Sequence, residues 1–214
     1  MSLNSKVALS TLDELKLFLA DKGTDDFMSS DAYDGKLENI INAVGQFFNT
    51  YTGRTLVEAA HTDYFDGDGS STLLLPEFPI ISTASTIEVY VDIDREYPAS
   101  SKIAAAKIIL YSKDGVVRIE DDVFTEGPQS VKVVYTAGYE LESDDGVVLP
   151  EDLRQAALMT CGALWKVEKE KIFKMTAVSI SGGSVTFDVE KALLPFAEEV
   201  LELYVAQERA GIRW

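Results

Sequence analysis

The stretch that most limits what this chain can fold into lies between Asp31 and Thr52. Leu37, Ile40, Ile41, Val44, Phe47, Phe48 and Tyr51 recur there at intervals of three and four. That spacing sets all of them on one stripe of an α-helix. Gly53 follows at the place where a left-handed C-cap is wanted. The pattern predicts a helix over 31–52, and so wide an apolar stripe demands a partner surface, either helix or sheet.

Three further helices are legible. "STLDELKLFLA" offers Ser10 and Thr11 as N-caps, with Glu14 three residues after Thr11 in a capping-box pattern. Leu12, Leu15, Phe18 and Leu19 then form one apolar face, giving a helix over about 11–20. At "LPEDLRQAALMTCGALW", Pro150 suits a first helical turn, and Glu151 and Asp152 complement the positive end of the helix dipole. Leu153, Ala156, Ala157, Thr160, Cys161, Leu164 and Val167 keep helical spacing, so this helix is expected over about 150–172. Small residues at Ala156, Ala157, Gly162 and Ala163 would admit a neighbouring helix closely. A last helix, about 195–209, carries Phe196, Val200, Leu201 and Tyr204 as its stripe. Between these two, "VSISGGSVTF" breaks the pattern with a Gly pair, as a hairpin or as a loop.

From about 57 to 139 the period changes to two. "TIEVYVDI", "KIILY", "GVVRI" and "SVKVVYTAGY" are short, rich in Val, Ile and Tyr, and separated by turn residues. In the last of them Val131, Val133 and Tyr135 alternate with Lys132 and Val134, which points to one buried face. The expected fold class is therefore α+β: a bundle of about four helices with an inserted antiparallel region of four to six short strands. A length of 214 residues is most simply read as a single domain, 1–214.

Charge narrows the partners. The chain has 19 basic and 36 acidic residues, a net −17. Residues 1–149 hold 11 basic and 26 acidic groups, whereas residues 150–214 hold 8 and 10. Grip on a phosphate backbone comes from Lys and Arg displacing counterions, so the first part should repel nucleic acid. An ordinary soluble surface has this composition, and so does a surface that DNA must pass without sticking. "AALMTCGALW" is far short of the ~20 apolar residues that span a bilayer. Asp13 and Glu14 stand where an export signal would need an apolar run. One cysteine, Cys161, forms no intramolecular disulfide, which fits a reducing cytosol.

The tests for chemistry return little. In "DYFDGDGSSTLLLPEF", Asp66, Asp68, Ser70 and Glu77 fall at positions 1, 3, 5 and 12 of a calcium-loop window. Yet Ser71 replaces the glycine of position 6, and Pro76 stands where the exiting helix would begin. Asp66-Gly67 and Asp68-Gly69 are better read as a hairpin turn joining "HTDYF" to "STLLLP". His61 is the only histidine, with no nucleophile motif beside it, and Cys161 lies on an apolar helix face. Phosphate-loop and dinucleotide-loop signatures do not occur. The reading is of no catalytic residue, no metal site and no cofactor.

Four stretches carry a resemblance: "YTGR" (51–54), "DYFDGDGSSTLLLPEFPI" (63–80), "VKVVYTAGY" (131–139) and "LPEDLRQA" (149–156). In order and content they resemble the head–tail connector (adaptor) family of long-tailed bacteriophages and prophages, over roughly residues 30 to 165. The resemblance implies a structural, non-enzymatic virion protein. It implies a ring, of about twelve subunits in such families, between the portal protein and a tail-completion or stopper protein. DNA would pass through its channel without sequence-specific binding, and no membrane is involved. The implied location is the virion neck, after synthesis in the bacterial host cytoplasm. C-terminal elements of such connectors contact the portal, which nominates Tyr204, Arg209, Arg213 and Trp214 as a partner interface. The rival reading is a monomeric module that binds carbohydrate or calcium, and a hydrolase stands third.

Overall fold

The computed structural model describes residues 2–20, 31–141, 147–170, 178–180, 183–185 and 195–205. Its contacts divide the chain into two compact units, Met1–Gly53 with Leu149–Trp214, and Arg54–Val148. The first is helical and the second is built of strands, so the observed class is α+β.

The helical unit holds α1 (Leu12–Leu19), α2 (Asp34–Thr52), α3 (Glu151–Glu170) and α4 (Pro195–Tyr204). Helix α1 starts as its sequence predicts. The Glu14 N–H donates to the Thr11 hydroxyl at 3.1 Å, and the Thr11 N–H donates to the Glu14 carboxylate at 2.7 Å. Helix α2 ends on Gly53 at φ 70, whose N–H donates to the Asn49 carbonyl at 3.0 Å. Its first turn begins at Asp34 rather than Asp31, with no side-chain cap. The α3 end expected near 172 lies outside the described residues, whereas α4, expected to run to about 209, ends at Tyr204 with Val205 in a bend.

Helix α2 packs against α1, α3 and α4, and α3 packs against α1 and α4. Leu37, Ile40, Ile41, Val44 and Phe48 are buried as the stripe requires. Phe47 and Tyr51 are not: Phe47 is 42% exposed and Tyr51 half-buried. The buried face is turned instead toward Gly45 and Thr52. The cause is the N-terminal segment lying across α2. A Cβ at Gly45 would sit 1.8 Å from the Val7 carbonyl oxygen. Asn42 holds the same segment, its Oδ1 accepting the Asn4 N–H at 2.8 Å and its Nδ2 donating to the Ser2 carbonyl at 3.3 Å.

On α3, Leu153, Ala156, Ala157, Thr160 and Cys161 are buried, and so is Trp165, against which Tyr33 stands edge-on at 5.4 Å. The small-residue expectation is met at Gly162, where a Cβ would lie 2.8 Å from Cε1 of Phe18 on α1. Two ion pairs brace α1: Lys16 with Asp34 at 2.5 Å, and Arg154 with Glu14. Burial alone would raise the Glu14 pKa, but the Thr11 N–H and the Arg154 guanidinium outweigh it and hold the carboxyl below its usual range. On α4, Ala197, Val200 and Leu201 are buried, whereas Phe196, expected on the stripe, is 41% exposed. The Gly-pair segment resolves as a hairpin: β7 (Val178–Ile180) pairs antiparallel with β8 (Gly183–Val185).

The second unit contains β1 (Ala59–Gly67), β2 (Thr72–Leu74), β3 (Glu88–Val91), β4 (Ile108–Tyr111), β5 (Val116–Ile119) and β6 (Gly127–Ala137). They form two three-stranded antiparallel sheets, ordered β1-β6-β3 and β2-β5-β4. Phe65, Ile87, Val89, Val131, Val133 and Ala137 from the first share one core with Leu75, Ile108, Val117 and Ile119 around the second. Val131, Val133 and Tyr135 point inward, as their alternation predicts.

The Asp-Gly run corrects an expectation. It is a turn but not a hairpin, because β1 pairs with β6 and β2 with β5. The run carries the chain from one sheet to the other. Gly69 takes the left-handed φ of 79. Gly67 is required for a different reason, since a Cβ there would lie 1.9 Å from the Thr125 carbonyl oxygen. The sequence shows two glycines that suit a tight turn; which surfaces the turn joins depends on long-range pairing.

One pair of substitutions separates these causes. Gly45→Ala should destabilise the protein by about 1–3 kcal/mol, because backbone atoms must give way. Gly35→Ala, in the same helix with nothing within 4 Å of the new Cβ, should stabilise it by up to ~1 kcal/mol. Urea midpoints of the two variants would check the opposite signs.

Candidate functional site

Three of the four sequence motifs meet in the strand-built unit. The residue that joins them is Arg54, only 4% exposed. Its Nη1 donates to the Phe78 carbonyl at 2.6 Å, and its guanidinium lies 4.0 Å from the Phe78 ring centroid and 5.9 Å from that of Tyr139. Beside it the Thr55 N–H donates to the Glu77 carboxylate at 2.7 Å. The Gly138 N–H donates to the Pro79 carbonyl at 2.9 Å, and the Tyr139 N–H to the Leu56 carbonyl at 2.7 Å. Gly138, at φ 114, must be glycine, since a Cβ would fall 2.6 Å from the Val57 carbonyl carbon. The end of "YTGR", "EFPI" and "TAGY" are thus fastened backbone to backbone. The fourth motif opens α3, where Pro150 accepts the Arg154 N–H at 3.0 Å and Asp152 accepts the Leu153 N–H at 2.8 Å.

The inner face of the β1-β6-β3 sheet carries a second polar group. Alternation along β1 puts His61 and Asp63 on the same face as Phe65. The Tyr135 hydroxyl donates to Asp63 at 2.7 Å, and the His61 ring lies 5.4 Å from the Tyr135 ring. His61 Nε2 is buried without a hydrogen-bond partner among the described residues. Burial, then the Asp63 hydrogen bond, push the Tyr135 hydroxyl far above its ordinary range, so it stays a donor. Burial also raises Glu77, opposed by the Thr55 N–H and by His61 and reinforced by Asp63. The Tyr135–Asp63 and Thr55–Glu77 hydrogen bonds tie these segments together. Cys161, in the helical unit, is buried, and burial pushes its thiol up to about 12.

Two of the calcium-window carboxylates accept backbone hydrogen bonds, Asp66 from distant β6 and Asp68 from its own turn. Asp66 accepts the Gln129 N–H at 2.7 Å and Asp68 accepts the Ser70 N–H at 2.8 Å. The Ser70 hydrogen bonds hold the Asp68 pKa below its usual value. This is the chemistry of a turn.

The outer face of the same sheet holds a group that sequence reasoning missed. Tyr64, Lys132 and Tyr90 face one another across three strands. The Lys132 ammonium lies 5.3 Å from the Tyr90 ring and 5.6 Å from the Tyr97 ring, and Tyr97 lies 5.5 Å from Tyr64. Arg95, Tyr97 and Gln129 all adopt left-handed backbone, at φ 62, 48 and 49. Asp92 holds that loop by accepting the Glu96 and Tyr97 N–H groups at 2.9 and 2.8 Å. Alternation signals that Tyr64, Tyr90 and Lys132 lie on outward faces, but only the register brings them into one row.

Of the nominated partner-interface residues, Tyr204 is half-buried at the end of α4 and donates to Asp152 at 2.8 Å. Arg209, Arg213 and Trp214 lie outside the described residues.

The residues of these motifs hold separate lengths of the chain together. Residues 8–206 match the model of the head completion protein family, and the chain belongs to that family. Three solved chains share its fold. One is from the virion of a native gene transfer agent particle, with a TM-score of 0.61 at 16% identity, covering 100% of this chain and 97% of that one. One is from the neck of the empty particle computed with C6 symmetry, with a TM-score of 0.58, 16% identity and the same coverage. The third is from the neck of the native particle computed with C12 symmetry, with a TM-score of 0.53 at 17% identity over 100% of both chains. A comparison with curated proteins finds no match.

Removing the Arg54 side chain should take one hydrogen bond from the Phe78 carbonyl and the cation from the faces of the Phe78 and Tyr139 rings. Arg54→Ala is expected to cost on the order of 2–4 kcal/mol in a denaturant titration. Glu77 gives a pH signature. Its folded pKa is raised, so its contribution to stability is full below the ordinary glutamate range and is lost as pH rises through the raised value. Glu77→Gln, which keeps an acceptor for Thr55, should flatten the Tm profile across that window relative to the parent.

Proposed function

We propose that this protein is a non-enzymatic component of the virion neck: a head–tail connector that forms a ring of about twelve subunits, joins the portal to the tail and extends the DNA channel. The observation that carries this reading is the family match over residues 8–206. The C6 and C12 symmetries applied to the neck structures that share the fold support a ring. The partners on either side are the portal protein and a tail-completion or stopper protein. The protein reaches the neck after synthesis in the host cytoplasm.

Charge supports the channel role. Residues 54–148 carry 7 basic and 18 acidic groups. A wall of that sign repels the DNA backbone and lets it slide. Portal contact is assigned to the C-terminal end, with Tyr204, Arg209, Arg213 and Trp214 as its anchors; Arg and Trp are both enriched at interface hot spots.

The test is co-sedimentation with assembled portal rings. The full chain should pellet with portal, and a chain lacking residues 206–214 should stay in solution with an unchanged Tm. Failure of the full chain to bind contradicts the neck reading. Equal binding by the shortened chain contradicts only the C-terminal assignment.

A further inference from the structure

The β1-β6-β3 sheet has one closed edge and one open edge. Beyond β3, Lys102 bridges Tyr90, and the Ile103 N–H donates to the Val89 carbonyl at 2.8 Å. The opposite edge is β1, whose direction of hydrogen bonding follows from β6. Ser130 and Thr136 of β6 accept from Asp92 and Ile81, on the β3 side. Residues of an antiparallel strand alternate in the side they bond. Val131, Val133, Tyr135 and Ala137 therefore bond β1, through their partners Phe65, Asp63, His61 and Ala59. Ala60, Thr62 and Tyr64 point their N–H and C=O groups away from the sheet. All three are exposed, and among the described residues no hydrogen bond engages those groups from outside the strand.

An open edge of this length is a template for another strand, and proteins that leave one unused blunt it with Lys or Pro. Strand β1 contains neither. The chain also contains an element with the opposite deficiency. The β7–β8 hairpin has three residues per strand and, among the described residues, forms a sheet of two strands. A lone two-stranded hairpin is marginal in water and is stabilised by a third strand. Charge favours the match. Residues 55–94 contain eight acidic groups and no Lys or Arg, whereas "KVEKEKIFK" (166–174), which precedes the hairpin in sequence, contains four lysines and two glutamates, a net positive stretch.

We infer that in the assembled ring the open edge of β1 in one subunit is completed by the β7–β8 hairpin of the next copy. Each subunit gives a hairpin and receives one, a head-to-tail contact of the kind that closes rings. The inference rests on the ring reading above and names the surfaces that make the ring.

Hydrogen exchange at single-residue resolution tests it on the unaltered protein. In the monomer the Ala60, Thr62 and Tyr64 amides should exchange fast while His61 and Asp63 are protected by β6; in the ring all five should be protected. A ring in which the outward amides exchange as in the monomer overturns the inference and leaves the ring reading intact. A chain that forms no ring even with portal present overturns both. Thr62→Pro removes an outward N–H without touching the ladder to β6. It should keep the parent's circular dichroism and lower the ring fraction at least tenfold. Rings formed as readily as by the parent overturn the inference, and if the variant fails to fold, the exchange experiment decides.

Discussion

A buried guanidinium organises the strand-built unit. Arg54 is a cation withdrawn almost wholly from water, which is unfavourable unless it is hydrogen-bonded and faced by electron-rich groups. The Phe78 carbonyl and the rings of Phe78 and Tyr139 supply part of that environment. Phe78 and Tyr139 belong to different lengths of chain, so satisfying Arg54 fixes where the segment after β2 crosses the end of β6. Gly138 then allows the strand end to approach Val57 at a distance no side chain tolerates. Three of the four motifs read in the sequence are, in space, one fastening.

That result explains why the motifs resemble a functional signature without containing chemistry. A glycine beside an arginine, a Phe-Pro pair and an Ala-Gly-Tyr strand end are residue types that active sites also use. Here their groups are consumed in holding backbone to backbone. Three other polar groups are engaged in the same way: Tyr135 by Asp63, Asp66 by Gln129 and Asp68 by Ser70.

Much of the fold was legible in the sequence because it rests on local rules. The capping box at Thr11, the left-handed Gly53, the period of 3.6 in α2 and the alternation in β6 each need only neighbours within a few residues. What escaped depends on distant chain. Phe47 and Tyr51 looked buried because the stripe was read without the N-terminal segment that lies over Gly45. The Asp-Gly run looked like a hairpin because nothing local says that β1 and β2 belong to different sheets. The tyrosine and lysine row on the outer face required the β1-β6-β3 register, and so did the open edge of β1. The functional class was legible through the order of four motifs, while the surfaces that would serve it were not.

The two units are each fixed by close backbone contacts, and the proposed neck role requires copies of the chain to assemble. Native mass spectrometry of the purified protein, from dilute to concentrated and with and without calcium and portal, tests that dependence most directly. The account predicts a closed ring of about twelve copies, the symmetry of one neck structure that shares the fold, indifferent to calcium. A protein that stays monomeric under every condition, or that takes up calcium stoichiometrically as a monomer, would contradict it.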